Sequence, residues 1–411
     1  MPAAELLAPE SRAALGELGA IEAVAGVHAL NRAPALASLL DTVEAGLLKD
    51  VASRRSAVLV IDCGSRDDTA EVARAWCAAE HGGPARLLLA VTGPVHRGAA
   101  MQSLLAAARE LDARGLVVLD ADMTGVGADG VSALIAPVIE DAADYVSPAY
   151  SRSVSEGTLT TNLLAPLSSA LYGRRIQQIT GGCCALAASL IEHCLGNGVG
   201  AGSAHAHEIE IALTTAALAS TSRVAELHLG RRLVDSSLPQ VDLATTLVRT
   251  VGPVFELMER YRDTWDESRR CAAVPRFGES PVMAPDRERP AIDRMVHAFG
   301  LGMKDLLPVW EQVMPEETLA GLYPLALREP AEFEFPPALW ARVVVDFAVA
   351  HHERRLPRDH LLRSLTPLYL GRVAAFLRTA WRASPDGSAG ALGQIERAFE
   401  AEKSGLSARW R

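Results

Sequence analysis

The chain has 411 residues, which is long for a single hydrophobic core and therefore predicts two domains. With 49% hydrophobic and 22% charged residues, it has the composition of a soluble globular protein. The formal net charge is −10 and no block of lysine and arginine stands out. This argues against a nucleic acid or an anionic membrane as the partner.

The first half of the chain alternates short apolar runs with helical periods. Four predicted strands follow one another as AVAGVHAL, AVLVID, RLLLAV and LVVLD, with amphipathic helical stretches between them. This alternation predicts an α/β fold of Rossmann-like type, with a mostly parallel sheet. Ligands of such sheets bind beyond the carboxyl ends of the strands. Asp62 and Asp120 each end a predicted strand, so we expect both to face one crevice.

After Leu243 the pattern changes to long helical periods, and a stretch rich in proline and arginine separates the first of them from the rest. This predicts an all-α C-terminal domain. The expected division is an N-terminal extension at 1–18, an α/β domain at 19–265, a linker at 266–290 and a helical domain at 291–411.

The N-terminus and the cysteines predict a cytoplasmic protein. The first 20 residues carry acidic groups where a signal peptide needs basic ones, and no apolar run approaches the length of a membrane span. The six cysteines are dispersed without a CxxC pair, so reduced thiols are expected.

Asp120 and Asp122 come directly after the apolar run VVL, in the sequence Asp-Ala-Asp. Mg²⁺ and Mn²⁺ favour oxygen ligands, and often bind one or two carboxylates together with the phosphates of a substrate. The pair is either a solvated strand end or a cation site. Its place after a predicted strand of an α/β unit favours the cation site.

Two further stretches could hold parts of a nucleotide. Asp62 begins IDCGSRDDT, which is either a simple strand-turn-helix junction or a carboxylate that accepts hydrogen bonds from a base. Arg97 and Gly98 stand just before a predicted helix. They could offer a guanidinium and backbone N–H groups to a phosphate.

Taken in order, IDCGSRDDT, HRGAAMQSLL and VVLDADM resemble segments of nucleotide-sugar glycosyltransferases of the GT-A type. The stretch 145–182 is similar to the acceptor region of a retaining subgroup, the glucosylglycerate, mannosylglycerate and glucosyl-3-phosphoglycerate synthases. The resemblance covers 21–265 well and the remainder loosely. It implies transfer of a hexose from an NDP-sugar to a small glycerate-like acceptor with retention, a divalent cation (Mg²⁺ or Mn²⁺) and a homodimer.

The resemblance also implies roles for single residues. Asp120, Asp122 and Glu208 are expected in catalysis. The donor is expected to contact His28, Asn31, Asp62, Arg97, Asp120 and Arg231. The acceptor is expected to contact Tyr150, Arg152, Thr158, Thr160, Gly181, Gly182 and Cys183. Arg152 suits a carboxylate such as glycerate, although an ion pair with Glu156 is an equally simple account.

The sequence departs from the family at the metal site. The family histidine that completes this site falls on Val234, and Asp235 is the nearest substitute, ahead of His228. The predicted metal ligands are therefore Asp122 and Asp235. In the alternative, Arg231 and Arg232 carry more of the phosphate charge.

Other departures keep further functions open. His28 stands where the family usually has proline, and Cys183 stands where an acidic residue commonly follows the glycine pair. One alternative is a natural-product tailoring glycosyltransferase with an unusual NDP-sugar or a sulfur acceptor. Another is a catalytically silent partner subunit that binds a nucleotide sugar. A nucleotidyltransferase is disfavoured, because no glycine-rich pyrophosphorylase loop follows the first strand.

The stretch AHAHEIEI admits a zinc site as well. His205 and His207 lie beside Glu208 and Glu210, but no H-x-x-x-H or H-E-x-x-H spacing is present. Glu208 facing the sugar or the acceptor is preferred over zinc, and a solvated helix start is the simplest alternative.

Overall fold

The computed structural model describes residues 6–49, 54–93, 95–123, 125–231, 241–268, 271–279, 290–382 and 385–410. The chain forms two compact units, each assembled from several segments. The first is Met1–Tyr150, Thr180–Leu238 and Val274–Pro281, and the second is Ser151–Ile179, Pro239–Ala273 and Val282–Arg411. The units are thus interleaved along the chain, whereas the domain ranges predicted from the sequence are consecutive and stay a prediction.

The strands are β1 (Ala23–Ala29), β2 (Ser56–Asp62), β3 (Ala85–Leu88), β4 (Gly115–Asp120), β5 (Tyr145–Ser151), β6 (Arg174–Arg175), β7 (Cys183–Ala187), β8 (Val224–Arg231), β9 (Ala272–Ala273) and β10 (Arg276–Phe277). Eight of them form one sheet in the order β10-β8-β5-β7-β4-β1-β2-β3. The pairs β1–β2, β2–β3, β1–β4 and β8–β10 are parallel, while β7 runs antiparallel to both β4 and β5.

The helices of the first unit are α1 (Pro9–Leu18), α2 (Ala33–Leu47), α3 (Thr69–Ala78), α4 (Arg97–Glu110), α5 (Ala128–Ile139), α7 (Ala188–Gly196) and α8 (Ala206–Ala219), with α6 (Ala165–Tyr172) belonging to the second. Strands β1 and β4 are buried along their whole length. Their continuous apolar sequences suit strands that are covered on both faces. The predicted α/β class with a mostly parallel sheet is confirmed.

The strand register brings the predicted site residues to one edge of the sheet. Ala29 at the end of β1 pairs with Asp62, and His28 pairs with Asp120. The antiparallel strand β7 begins at the same edge, where the Asp120 N–H donates to the Gly182 carbonyl at 2.8 Å. The carboxyl ends of β1, β2 and β4 therefore meet the start of β7.

The second unit is largely helical, as the sequence predicts for the C-terminal part of the chain. Besides α6 and a π-helical turn at Thr160–Leu164, it contains α9 (Leu243–Arg260), α10 (Arg262–Glu267), α11 (Ile292–Asp305), α12 (Leu307–Val313), α13 (Glu316–Ala326), α14 (Pro337–His352), α15 (Arg358–Ser364), α16 (Thr366–Arg382) and α17 (Pro385–Arg409). No helix in the described part of the chain is both long enough and apolar enough to cross a membrane.

The predicted linker contains two short strands. Strand β9 pairs with β6, and β10 joins the edge of the large sheet beside β8. There, Arg276 donates at 3.1 Å to Glu226, a carboxylate with no exposed surface. A buried carboxylate needs such a partner, so this ion pair helps to hold β10 beside β8.

Replacement of Gly46 by alanine is expected to destabilise the fold by about 1–3 kcal/mol, because an added Cβ would overpack the contact between α2 and α5. It would lie 2.6 Å from the Cβ of Val131. Gly16→Ala in α1 is the matched control, since an added Cβ meets nothing within 4 Å there. That variant is expected to be neutral or stabilised by up to about 1 kcal/mol. Thermal unfolding of both variants checks this, and an equal effect of the two would contradict it.

Candidate functional site

The two carboxylates at the end of β4 form the centre of the site. The Asp120 side chain is 6% exposed, whereas that of Asp122 is 29% exposed. The Asp122 N–H donates to Asp120 Oδ1 at 2.9 Å, which fixes the turn between them. Burial and the neighbouring charge of Asp120 raise the pKa of Asp122, outweighing the opposite effect of nearby arginines.

Arg97, the first residue of α4, bridges both carboxylates. Its guanidinium donates to Asp120 and, at 2.8 Å, to Asp122 Oδ2. Burial by itself would lower the pKa of Arg97, but the two carboxylates raise it above its usual value. Arg97 therefore carries a positive charge, as arginine does in proteins.

A second arginine, Arg32, approaches the carboxylate of Asp122 from the loop after β1. Its side chain is 8% exposed, and its Nε lies 3.5 Å from Asp122 Oδ1. The same Nε donates to the Ala121 carbonyl at 3.2 Å. The backbone of Arg32 is held in turn, because its N–H donates to Thr69 Oγ1 at 2.7 Å.

The loops after β1 and β2 are joined by Asn31. This residue has a φ of 55°, in the left-handed region that asparagine tolerates better than most residues. Its side-chain oxygen accepts from the Arg66 N–H at 2.8 Å, and its own N–H donates to Ser65 Oγ at 2.8 Å. The two loops thus form one wall at the carboxyl edge of the sheet.

Only one carboxylate oxygen of Asp62 accepts hydrogen bonds from the turn that follows β2. Its Oδ2 accepts from the N–H groups of Gly64 and Ser65, each at 3.1 Å. Its Oδ1 is buried and has no hydrogen-bond partner among the residues that the structure describes. Because a buried acceptor without a partner is costly, this oxygen is a candidate contact for a donor group of a ligand.

The start of α4 differs from the phosphate cradle that the sequence suggests. The Gly98 N–H donates to the Ser203 carbonyl at 3.0 Å, and the Ala99 N–H donates to His96 Nδ1 at 3.2 Å. A Cβ at Gly98 would lie 2.5 Å from the carbonyl oxygen of Gly200. These two N–H groups are used inside the protein, so at the start of α4 the guanidinium of Arg97 is the group that we expect to meet a phosphate.

Two further side chains lie behind the arginine. His28 is buried, with Nδ1 3.5 Å from the guanidinium of Arg97, and burial lowers its pKa. Cys63 is also buried, which raises the pKa of its thiol to about 12. Burial thus favours the neutral imidazole of His28 and the neutral thiol of Cys63, so neither is placed to act as a charged group.

Glu208 and Glu210 of α8 have different roles. Glu208 Oε2 accepts from the N–H groups of Ala204 at 2.9 Å and His205 at 3.3 Å, so this carboxylate caps the helix. Glu210 Oε1 accepts from the Gly182 N–H at 3.0 Å, next to the end of β4. The other oxygen of Glu210 is buried without a hydrogen bond among the described residues, and His207 Nδ1 is 3.9 Å from it.

The predicted acceptor residues fall in both units. In the first, the Tyr150 hydroxyl donates to the Gly181 carbonyl at 2.7 Å and lies 3.8 Å from Cys183 Sγ. Gly182 has a φ of 79°, which a glycine adopts without strain. This group forms the wall at the start of β7.

In the second unit, Arg152 donates to Gln178 Oε1 at 2.8 Å. The Thr158 hydroxyl is 2.7 Å from that of Tyr369, and Thr160 is buried in the π-helical turn. The acceptor roles of these residues stay predictions.

The predicted metal site is only partly described. Asp235, Val234 and Arg232 lie outside the described residues, and Arg231 ends β8. Within the described ranges, no three histidine, cysteine or acidic side chains come together as a metal site, which includes the suggested zinc cluster. The carboxylate of Asp122 is of the type that Mg²⁺ and Mn²⁺ favour, but arginines already contact both of its oxygens.

No protein family and no curated protein sequence matches this chain. Among solved structures, it is similar to glucosyl-3-phosphoglycerate synthase from Mycobacterium tuberculosis in complex with Mn²⁺, uridine diphosphate and phosphoglyceric acid, with 20% identity, a TM-score of 0.43 and coverage of 60% of this chain and 82% of that one. It is also similar to mannosyl-3-phosphoglycerate synthase from Rubrobacter xylanophilus, with 18% identity, a TM-score of 0.39 and coverage of 62% and 80%. Both likenesses are distant, so the chemistry of the site rests on its own side chains.

Neither Arg32 nor Glu210 is among the residues that the sequence predicts to contact the donor or the acceptor; the sequence suggests Glu210 only as a possible zinc ligand. Each has a weak signal in the sequence. Arg32 follows the predicted first strand, at the edge where Asp62 and Asp120 were expected. Glu210 lies two residues beyond Glu208, and the amino-acid sequence does not indicate which of the two carboxylates caps the helix.

Proposed function

We propose that the chain is a glycosyltransferase that moves a hexose-type sugar from an NDP-sugar to a small polar acceptor. One observation carries the proposal: Asp120 and Asp122, at the carboxyl edge of the parallel sheet, are held by two buried arginines. Such an edge is where α/β proteins bind nucleotides, and guanidinium groups suit a diphosphate.

Single groups around this cluster fit the parts of such a donor. The free Oδ1 of Asp62 can accept from the N–H edge of a base. Arg97 and Arg32 can meet the diphosphate. The unbonded Oε2 of Glu210 can accept from a sugar hydroxyl, while its Oε1 stays on Gly182.

The chemistry that the residues of this chain supply is electrostatic. As the sugar–phosphate bond breaks, negative charge grows on the diphosphate, and arginines fixed in a partly dry site stabilise it more than water does. A divalent cation held at Asp122 would add positive charge at the same leaving group. Asp120, which is more deeply buried, holds Arg97 in position in the free protein. Its predicted contact with the donor stays a prediction.

The finer parts of the proposal come from the sequence resemblance. They are a glycerate-like acceptor, retention of configuration, Arg152 as the contact for the acceptor carboxylate, a homodimer and a cytoplasmic location. An experiment can distinguish this proposal from the two alternatives, the natural-product tailoring enzyme and the catalytically silent partner subunit.

The test is a product analysis with UDP-, GDP- and dTDP-hexoses, Mn²⁺ or Mg²⁺, and D-glycerate or 3-phosphoglycerate as acceptor. Formation of a glycosylated glycerate supports the proposal. Transfer only to a larger acceptor would favour the tailoring enzyme. Binding of donors without any turnover or hydrolysis would overturn the enzyme and favour the partner subunit.

Asp62→Asn is expected to raise the KM for the NDP-sugar by about 10- to 100-fold with little change in kcat, because it weakens a hydrogen bond to a charged acceptor that ground and transition states share. Initial rates at varied donor concentration measure this. Asp67→Asn in the same loop is the control, since the Asp67 carboxylate accepts from the Ala33 and Thr69 N–H groups of the protein. An equal rise of KM in both variants would assign the effect to the loop and not to the base.

A further inference from the structure

The cluster at the end of β4 is neutral by charge count. Asp120 and Asp122 carry two negative charges, and Arg97 and Arg32 carry two positive ones. Apart from Asp122, at 29%, their side chains are 10% exposed or less. In so dry a place, a neutral cluster is far more stable than a carboxylate pair without counter-charges.

Every carboxylate oxygen of the pair faces a group of the protein. Asp120 Oδ1 accepts from the Asp122 N–H at 2.9 Å, and Asp120 Oδ2 faces Arg97. Asp122 Oδ2 accepts from Arg97 at 2.8 Å, and its Oδ1 lies 3.5 Å from Arg32. A divalent cation that binds Asp122 must therefore take oxygens that are already engaged.

Arg97 is the partner best placed to leave. It touches the cluster only through the tip of a long side chain at the start of α4, whereas the Nε of Arg32 is also bonded to the Ala121 carbonyl. A phosphate offers the planar, paired acceptors that a guanidinium binds as well as it binds a carboxylate. An incoming diphosphate can thus draw Arg97 away without leaving it unpaired.

We propose that Arg97 is an internal counter-ion that competes with the divalent cation for Asp122 and is released to the diphosphate of the donor. The cation then binds weakly to the free protein and tightly together with the diphosphate. The coupling is reciprocal, because each ligand that removes Arg97 from the carboxylates favours the other. The inference rests on the proposed function only for the identity of the anion.

The test measures binding of Mn²⁺ alone, from the electron paramagnetic resonance signal of free Mn²⁺, to the wild type and to Arg97→Gln. The glutamine variant is expected to bind Mn²⁺ about 10- to 100-fold more tightly, because it lacks a positive charge within hydrogen-bond distance of Asp122. In the wild type, pyrophosphate is expected to tighten Mn²⁺ binding strongly. In Arg97→Gln that gain is expected to be smaller, since no arginine needs to move.

Two controls keep the test decisive. Arg66→Gln removes an exposed arginine from the neighbouring loop and should leave Mn²⁺ binding unchanged. Arg97→Lys keeps the charge, but one ammonium cannot bridge two carboxylates as a guanidinium does, so an intermediate gain is expected. If Arg97→Gln does not fold, Arg97→Lys decides. Mn²⁺ affinity equal to wild type in every folded Arg97 variant would overturn the proposal.

These measurements need no sugar donor, so they are independent of the transferase proposal. A gain in Mn²⁺ affinity without any sugar transfer would leave the exchange standing and overturn the function. Sugar transfer without a gain in Mn²⁺ affinity in the Arg97 variants would support the transferase function and overturn the proposed exchange of Arg97.

Discussion

Asp122→Asn is expected to lower the rate of sugar transfer by about 10²- to 10³-fold while the protein stays folded, because charge stabilisation at the leaving group is usually the largest single contribution to such a barrier. The asparagine keeps the shape of the side chain. It removes the negative charge that positions Arg97 and Arg32 and that would hold a divalent cation. Saturating Mn²⁺ is not expected to restore the rate.

Initial rates at saturating donor and acceptor, over a range of Mn²⁺ concentrations, measure this effect. Asp129→Asn is the matched control, because the Asp129 side chain is 84% exposed and pairs with Lys49 on the surface. Its loss should leave the rate within about twofold, since surface pairs contribute little. A folded Asp122→Asn protein with the wild-type rate would remove the cluster from the proposed mechanism.

The fold class could be predicted because β1, β2 and β4 each contain a run of apolar residues, and helical periods separate these runs. The same pattern predicted the position of the crevice, because the carboxyl ends of parallel strands lie at one edge of a sheet. Asp62 and Asp120 are the last residues of two of these strands. Strand β7 was harder to foresee, because its residues CCALA follow the Gly181-Gly182 turn and run antiparallel to their neighbours. A five-residue apolar run carries no sign of its direction.

The arginines of the site show the limit of sequence reasoning. Arg32 and Arg97 are 65 positions apart in the sequence. They meet at Asp122 because β1, which precedes Arg32, pairs with β4, and because α4, which Arg97 begins, packs against both strands. The resemblance assigned Arg97 to a phosphate, but it gave no hint that the arginine is held by the carboxylates. Such a contact depends on tertiary packing, which no local pattern of residues encodes.

The use of backbone N–H groups was equally hidden. The sequence placed Gly98 before a helix, where free N–H groups bind anions. In the structure, the Ser203 carbonyl reaches Gly98 from a loop that is distant in sequence. That loop also ends at the cap of α8, and there the sequence could not distinguish Glu208 from Glu210.

Glu210→Gln is expected to lower kcat/KM for transfer by about 100-fold, because a buried carboxylate oxygen that accepts from the substrate is replaced by an amide N–H₂ that cannot accept. Glu208→Gln, on the same helix, is expected to keep activity within about twofold and to lose at most about 1 kcal/mol of stability, since its carboxylate only caps α8. Steady-state kinetics and thermal unfolding of the two variants separate these effects.

The opposite pattern, with Glu208→Gln inactive and Glu210→Gln active, would return the catalytic role to the residue that the sequence resemblance indicates. The difference between the two variants is informative because the substitution, the helix and the loss of charge are the same. What differs is that Glu210 uses one oxygen on Gly182 and leaves the other unbonded, whereas the Oε2 of Glu208 accepts from two backbone N–H groups. The buried Oε2 of Glu210 accepts no hydrogen bond within the described part of the protein, and its nearest cationic partner is His207 at 3.9 Å. A substrate hydroxyl would give this oxygen the hydrogen bond that it lacks.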